Sequence, residues 1–337
     1  MTPPPSSPPH DARSPASEAL QVHVIDDYDV YRDGLLYNLR SDGFEAQGYA
    51  SGEAFLATPL WPKRGVVTLD IDFHYAPPGA MGGQQIFRQL LARRCPMPVI
   101  FLSGPHGNNR ELALTQAELR SLNDVWMYSK QDPLPQLKDK IRLFLSREPA
   151  LRQAAEEERR LLQIVLDVMT QAEREVIGLV LDGTPNKTIA HLLGKEVGVV
   201  ELQRTSGLQK LLGDSRSTMV LGETLFPLLR RHEATSLVAL AEQELHYRLG
   251  QLDPLAHDVL MAAVADQSHA QIARAHGWYD EADRERRYRG VVQGHLDRAL
   301  ALVQADAVRQ VRKWHGSLGY SEPPCKPSSP SPSPSSH

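Results

Sequence analysis

Between Leu20 and Leu145 the apolar positions switch repeatedly between two periods. Short β-branched or aromatic runs at Leu20–Ile25, Phe44–Tyr49, Gly65–Asp70, Met97–Leu102 and Val125–Tyr128 read as strands. Apolar residues at helical spacing predict helices over Val30–Leu39, from Ser51 to Leu56, and over Gln84–Ala92, Asn109–Leu122 and Leu134–Leu145. A strand–helix alternation of this kind implies a doubly wound, five-stranded parallel sheet of flavodoxin-like α/β type. The run Gly65-Val66-Val67-Thr68-Leu69 is apolar up to an abrupt aspartate, Asp70, as expected of a central strand buried on both faces. In open parallel sheets, chemistry gathers beyond the carboxyl ends of the strands.

After Ser146 the pattern is helical throughout. The charged run Glu156-Glu157-Glu158-Arg159-Arg160 precedes Leu161, Leu162, Val165, Leu166 and Met169 at helical spacing, a stripe expected to pack against a second protomer. Thr170 and Glu173 form a capping box. Three short helices joined by short turns, with Gly194 ending the second, make a helix-turn-helix. A weak repeat follows: shifted by 83 residues, Val176 falls on Val259, Ile189 on Ile272, Ala190 on Ala273, Gly194 on Gly277 and Gly207 on Gly290. Asp253 and Ser268 would cap the first two helices of this copy, and Asp283–Leu302 would be its third, with Arg284, Arg286, Arg287 and Arg289 at its start. Two readings stay open: a helix that contacts DNA, as a helix-turn-helix can, or a helical bundle whose arginines are balanced by Asp280, Glu281, Asp283 and Glu285.

The polar residues at the strand ends carry the candidate chemistry. Asp26 and Asp27 end the first strand, Asp70 the third, Ser103 the fourth and Lys130 the fifth, so all should converge on one rim. Crowded carboxylates repel unless a cation joins them, and an incomplete oxygen cage suits Mg²⁺. A lysine and a hydroxyl beside it would receive a phosphoryl group, and the chemistry this permits is in-line transfer onto a carboxylate.

Composition narrows the partners. A formal net charge of −4 means that any nucleic-acid contact must come from a local basic face. The two cysteines, Cys95 and Cys325, lack disulfide or zinc spacing and fit a reducing, cytoplasmic setting. No apolar run reaches membrane length, and the N-terminus has no apolar signal core. Outside the strand-end cluster there is no nucleophile–base pair, cofactor fingerprint or metal-ligand set, which argues against an enzyme acting on a small molecule.

The strand-end residues resemble the receiver domain of bacterial two-component response regulators over Gln21–Ser146. The resemblance implies that Asp70 is the phosphoacceptor, that Asp26, Asp27 and Asp70 hold Mg²⁺, that Ser103 is the switch hydroxyl and that Lys130 contacts phosphate oxygens. Three features depart from the family. A longer loop, Ile71 to Gly83, follows Asp70 and carries the extra carboxylate Asp72; Gln131 replaces the proline after the lysine; and Met127 stands at the aromatic switch position. The run Glu173-Arg174-Glu175-Val176, with Asn186-Lys187, Ile189-Ala190 and Leu193-Gly194, resembles the LuxR-type output domain of the same regulators. That implies a recognition helix over Val199–Leu212 and DNA contacts from Lys187, Gln203, Arg204, Thr205, Ser206 and Lys210.

The organisation expected is a disordered tail (1–18), a receiver (19–146), a helical linker (147–168), a helix-turn-helix domain (169–226), an additional helical domain (230–316) and a disordered tail (317–337). The implied partners are a sensor histidine kinase, double-stranded DNA and a second copy of the chain, with no membrane. The alternatives are a phosphorylation-independent regulator whose receiver only dimerises, and a protein-binding adaptor that does not meet DNA.

Overall fold

The computed structural model describes residues 20–57, 59, 63–73, 75, 77–104, 124–213, 217–278 and 287–318. The expected helix Asn109–Leu122, both Pro/Ser-rich ends, Cys325 and the charged segment from Asp280 to Arg286 lie outside them. The chain divides into two compact units between Glu157 and Glu158.

In the first unit, β1 (Gln21–Ile25), β2 (Ala46–Tyr49), β3 (Gly65–Asp70), β4 (Val99–Ser103) and β5 (Val125–Ser129) form one parallel sheet in the order β2-β1-β3-β4-β5. Every residue of β3 is buried, as expected of a central strand. Alternate side chains feed two apolar layers. Ile25, Val67, Leu69 and Phe101 pack with Phe55 of α2 (Gly52–Leu56) and with Ile86, Phe87 and Leu90 of α3 (Gly83–Ala92). Val22, Val24, Val66, Ile100 and Leu102 pack with Leu35, Leu36 and Leu39 of α1 (Asp29–Ser41) and with Leu137, Ile141 and Phe144 of α4 (Leu134–Gln163). Helices on both faces fix the sheet as doubly wound. Expected and observed elements otherwise differ mainly by a residue or two at their ends.

Helix α4 departs from expectation. It does not stop near Leu145 but runs on through Pro149 to Gln163, and a π-helical turn then covers Ile164–Val168. The stripe that follows is also reassigned. Leu161, Leu162, Val165, Leu166 and Met169 are buried within the second unit's own core, so no second protomer is needed to cover them.

The second unit holds α5 (Gln171–Leu181), α6 (Asn186–Leu193), α7 (Val197–Leu212), α8 (Thr218–Arg231), α9 (Leu237–Leu249), α10 (Pro254–Val264), α11 (His269–Ala275), α12 (Arg287–Leu302) and α13 (Val308–Leu318). The expected helix from Asp283 is described from Arg287 onward. One apolar cluster runs from Leu161 to Leu318 and includes Val176 and Ile177 of α5, Leu240 and Leu245 of α9, and Val259 and Leu260 of α10. The two helix-turn-helix segments, read from sequence as separate domains, therefore share a core.

Candidate functional site

Strand register sets the rim. Ile25 pairs with Leu69, so Asp26 follows β1 beside Asp70, the last residue of β3. Asp70 pairs with Leu102, Ser103 pairs with Ser129, and the Lys130 amide donates to the Ser103 carbonyl at 2.8 Å. The ordering of a parallel sheet thus brings residues more than a hundred positions apart to one edge.

At that edge the Lys130 ammonium donates to Asp26 Oδ2 at 2.8 Å and to Asp70 Oδ2 at 2.9 Å. It also sits 4.5 Å from the centroid of the Tyr31 ring. Asp26 and Asp70 are buried, and Asp27 is half-buried. Oxygens of Asp26, Asp27 and Asp70 lie within 4.8 Å of one another. Burial pushes the Asp70 carboxyl up to about 6, and neighbouring Asp26 adds to the rise, with Lys130 opposing both. Burial disfavours the Lys130 ammonium, but Asp70 and Asp26 outweigh it and hold its pKa above the ordinary value. Three carboxylates face one ammonium, so the cluster keeps an excess of negative charge. Its all-oxygen donor set fits a hard divalent cation such as Mg²⁺. Ser103 is half-buried at the end of β4, and its hydroxyl lies 3.4 Å from the Tyr128 carbonyl oxygen. Met127 is 41% exposed.

The long loop after Asp70 returns to its starting point. The Gly83 amide donates to the Ile71 carbonyl, and a Cβ at Gly83 would lie 2.1 Å from the Asp70 carbonyl oxygen, so only glycine allows this closure. Within the loop, the Tyr75 amide donates to the Asp27 carboxylate, and the Tyr75 ring stacks on Tyr28 at 5.0 Å. Sequence reading missed Tyr28, Tyr31 and Tyr75. Tyr28 and Tyr31 had only their closeness to Asp26-Asp27 in the chain as a signal, and Tyr75 had none.

The helix-turn-helix is built as its caps dictate. Thr170 and Glu173 form the reciprocal capping box at the start of α5, and Gly194 closes α6 in the left-handed region at φ +62°. The six expected DNA contacts separate into three groups. Lys187 and Thr205 are exposed. Gln203 and Arg204 are half-buried, Gln203 accepting from Lys195 at 3.3 Å and Arg204 donating to Asn186 at 3.0 Å. Ser206 and Lys210 are half-buried and both bonded to Glu173. The Ser206 hydroxyl donates to Glu173 at 2.6 Å, and the Lys210 ammonium donates to both Glu173 oxygens at 2.8 and 2.7 Å. The capping carboxylate is buried and needs a charge partner, which Lys210 supplies, and Ser206 adds a hydrogen bond.

A doubly wound sheet with aspartates and a lysine gathered at its strand ends, followed by a helical region, is a flavodoxin-like receiver with a C-terminal extension. The FixJ transcriptional regulatory protein of Azorhizobium caulinodans is 30% identical over 203 residues, covering 60% of this chain and 91% of that protein. The TdiR transcriptional regulatory protein of Thauera aromatica is 31% identical over 195 residues, covering 57% and 80%. The solved structure of the response regulator StyR is 29% identical and covers 61% of this chain and 97% of its own, with a TM-score of 0.40. No model of a known protein family matches the chain. The chain belongs to the bacterial two-component response regulators. Among the described residues no helix is long and apolar enough to cross a membrane.

Proposed function

We propose that this response regulator is a phosphorylation-dependent transcription factor that accepts a phosphoryl group on Asp70 from a sensor histidine kinase and binds duplex DNA through its helical unit as a homodimer. The observation that carries the reading is the Lys130 ammonium held within hydrogen-bond distance of both Asp26 and Asp70. A carboxylate oxygen of Asp70 attacks phosphorus in line with the leaving nitrogen. The O–P bond forms as the P–N bond breaks, and the imidazole takes its proton from solvent. Asp26, Asp27 and Asp70 would hold Mg²⁺, which supplies charge neutralisation for the phosphoryl oxygens when bound. Lys130 exchanges its contact with Asp70 for a phosphoryl oxygen. Ser103 turns toward the same group, and that movement biases the outer face of the receiver between two states. A dimer then presents two helix-turn-helix surfaces to two half-sites.

The test is intact-mass analysis after incubation with Mg²⁺ and acetyl phosphate. A single phosphoryl adduct, absent in Asp70→Asn, is expected. No adduct on a folded protein that binds Mg²⁺ would leave a receiver used only for dimerisation.

A further inference from the structure

The helix-turn-helix of α5, α6 and α7 is repeated by α10, α11 and α12 in backbone detail. At the constant offset, Gln171–Leu181 falls on Pro254–Val264, and the cap Thr170 falls on Asp253. The turn bonds recur. Thr184 N–H to Leu179 C=O at 2.9 Å matches Gln267 N–H to Ala262 C=O at 3.0 Å. Lys195 N–H to Ala190 C=O at 2.9 Å matches Trp278 N–H to Ala273 C=O at 2.8 Å. The left-handed residues coincide as well: Gly183 at φ +77° with Asp266 at +63°, and Gly194 at +62° with Gly277 at +69°.

The third helix follows a different offset from the one read in sequence. Its buried stripe Val200, Gly207, Leu208, Leu211 matches Val292, Ala299, Leu300, Val303, nine residues later than the first two helices would place it. Gly207 thus corresponds to Ala299 and not to Gly290. In this register Arg289-Gly290-Val291 stands against Val197-Gly198-Val199, and Gln293 against Glu201. All of these positions are exposed in both copies.

The backbone plan is kept while the outer face changes. Over its first residues α7 is apolar and acidic there, with Val199 at 40% and Leu202 at 73% exposure beside Glu201. In α12 a valine is exchanged for Arg289 and a glutamate for Gln293. Both border an open cleft of about 630 Å³, whose other wall includes Ser268 and His269 at the start of α11. The Gln293 amide nitrogen donates to Asp297 at 2.7 Å, which fixes the side chain and leaves its carbonyl oxygen as an acceptor. Trp278 lies between His276 and His295, with ring centroids 4.8 and 4.9 Å away, and so braces the turn against α12.

We infer that the second helix-turn-helix is a duplex-DNA-reading surface in which Arg289 and Gln293 face base edges and His269 the sugar–phosphate backbone. The first residues of the third helix are those that reach bases in this motif, and arginine is the commonest reader of guanine. An arginine and a neutral amide in place of valine and glutamate favour a polyanion over an apolar protein partner. The inference does not depend on phosphorylation of Asp70.

The test uses the full chain, with and without acetyl phosphate, and a randomised 30-base-pair duplex pool followed by fluorescence anisotropy over a salt series. Arg289→Ala/Gln293→Ala is expected to weaken binding about tenfold or more and to flatten the salt slope by about one, with an unchanged melting temperature. Arg289→Lys should keep the slope while losing preference among sequences enriched from the pool. Lys187→Ala/Thr205→Ala reports on the first copy separately. Parental affinity and slope in the Arg289/Gln293 variant, or no salt-dependent binding by the parent, overturns the inference.

Discussion

Lys210 and Glu173 meet between the third and first helices of the first helix-turn-helix, the ammonium donating to both carboxylate oxygens. The same carboxylate accepts from Ser206 and from the Thr170 amide, so one side chain caps α5 and ties α7 to it. Lys210→Met is expected to lower stability by about 2–3 kcal/mol, because it leaves a buried carboxylate short of its charge partner. Urea unfolding checks this. The folded variant should bind duplex DNA with parental affinity, whereas Lys187→Ala should weaken binding without moving the urea midpoint.

Burial raises the pKa of Glu173, but Lys210, Ser206 and the Thr170 amide together outweigh it and hold the carboxyl at about 2, against an ordinary 4.5. A depressed folded-state pKa gives stability that is fully present above the unfolded value and is lost as pH falls toward the folded one. The second unit should therefore lose up to about 3 kcal/mol between roughly pH 5 and pH 2 through this group. Glu173→Gln should be less stable at neutral pH and should lack this component of the acid loss, as urea midpoints at several pH values would show.

Arg248 is a second anchor of the same unit. Its guanidinium donates to Glu244 at 2.8 Å and to both oxygens of Asp167 at 3.1 Å, and it lies 5.5 Å from the Trp314 ring, with Arg248 and Glu244 buried and Asp167 half-buried. Arg248→Met strands two carboxylates and should cost about 3–5 kcal/mol. Arg248→Lys should recover only part of that, since an ammonium cannot reproduce the fork. Thermal melting of the three proteins gives the order.

The stacked pair Tyr28 and Tyr75 keeps the long loop beside the acidic rim. Losing a partly exposed aromatic pair is worth about 0.5 kcal/mol, so Tyr75→Ala should speed acetyl-phosphate labelling of Asp70 roughly twofold. An equal labelling rate would show that the loop does not restrict entry.

The strand-end cluster was legible in sequence because each buried apolar run stops abruptly at a polar residue, and parallel topology then does the gathering. Asp26, Asp70 and Lys130 needed no distances to be placed together. The capping box was equally legible, since its partners are three residues apart. What stayed hidden was pairing between helices. Nothing in the local pattern around Lys210 or Ser206 signals a side chain bonded to Glu173. The stripe from Leu161 to Met169 was visible as a stripe, but periodicity does not say which surface covers it. The nine-residue slip between the copies escaped because the extra residues fall in a charged stretch with no apolar register to follow.

The continuous core from Leu161 to Leu318 also bears on how the chain can be cut. A fragment trimmed near Phe226, the end expected for the first helix-turn-helix, would carry α5 and α7 but lose Leu237, Leu240 and Leu245, which belong to the same apolar cluster. The segment beyond α8 is thus no detachable appendage. A chain ended there would leave the first copy without part of the apolar packing that both copies share.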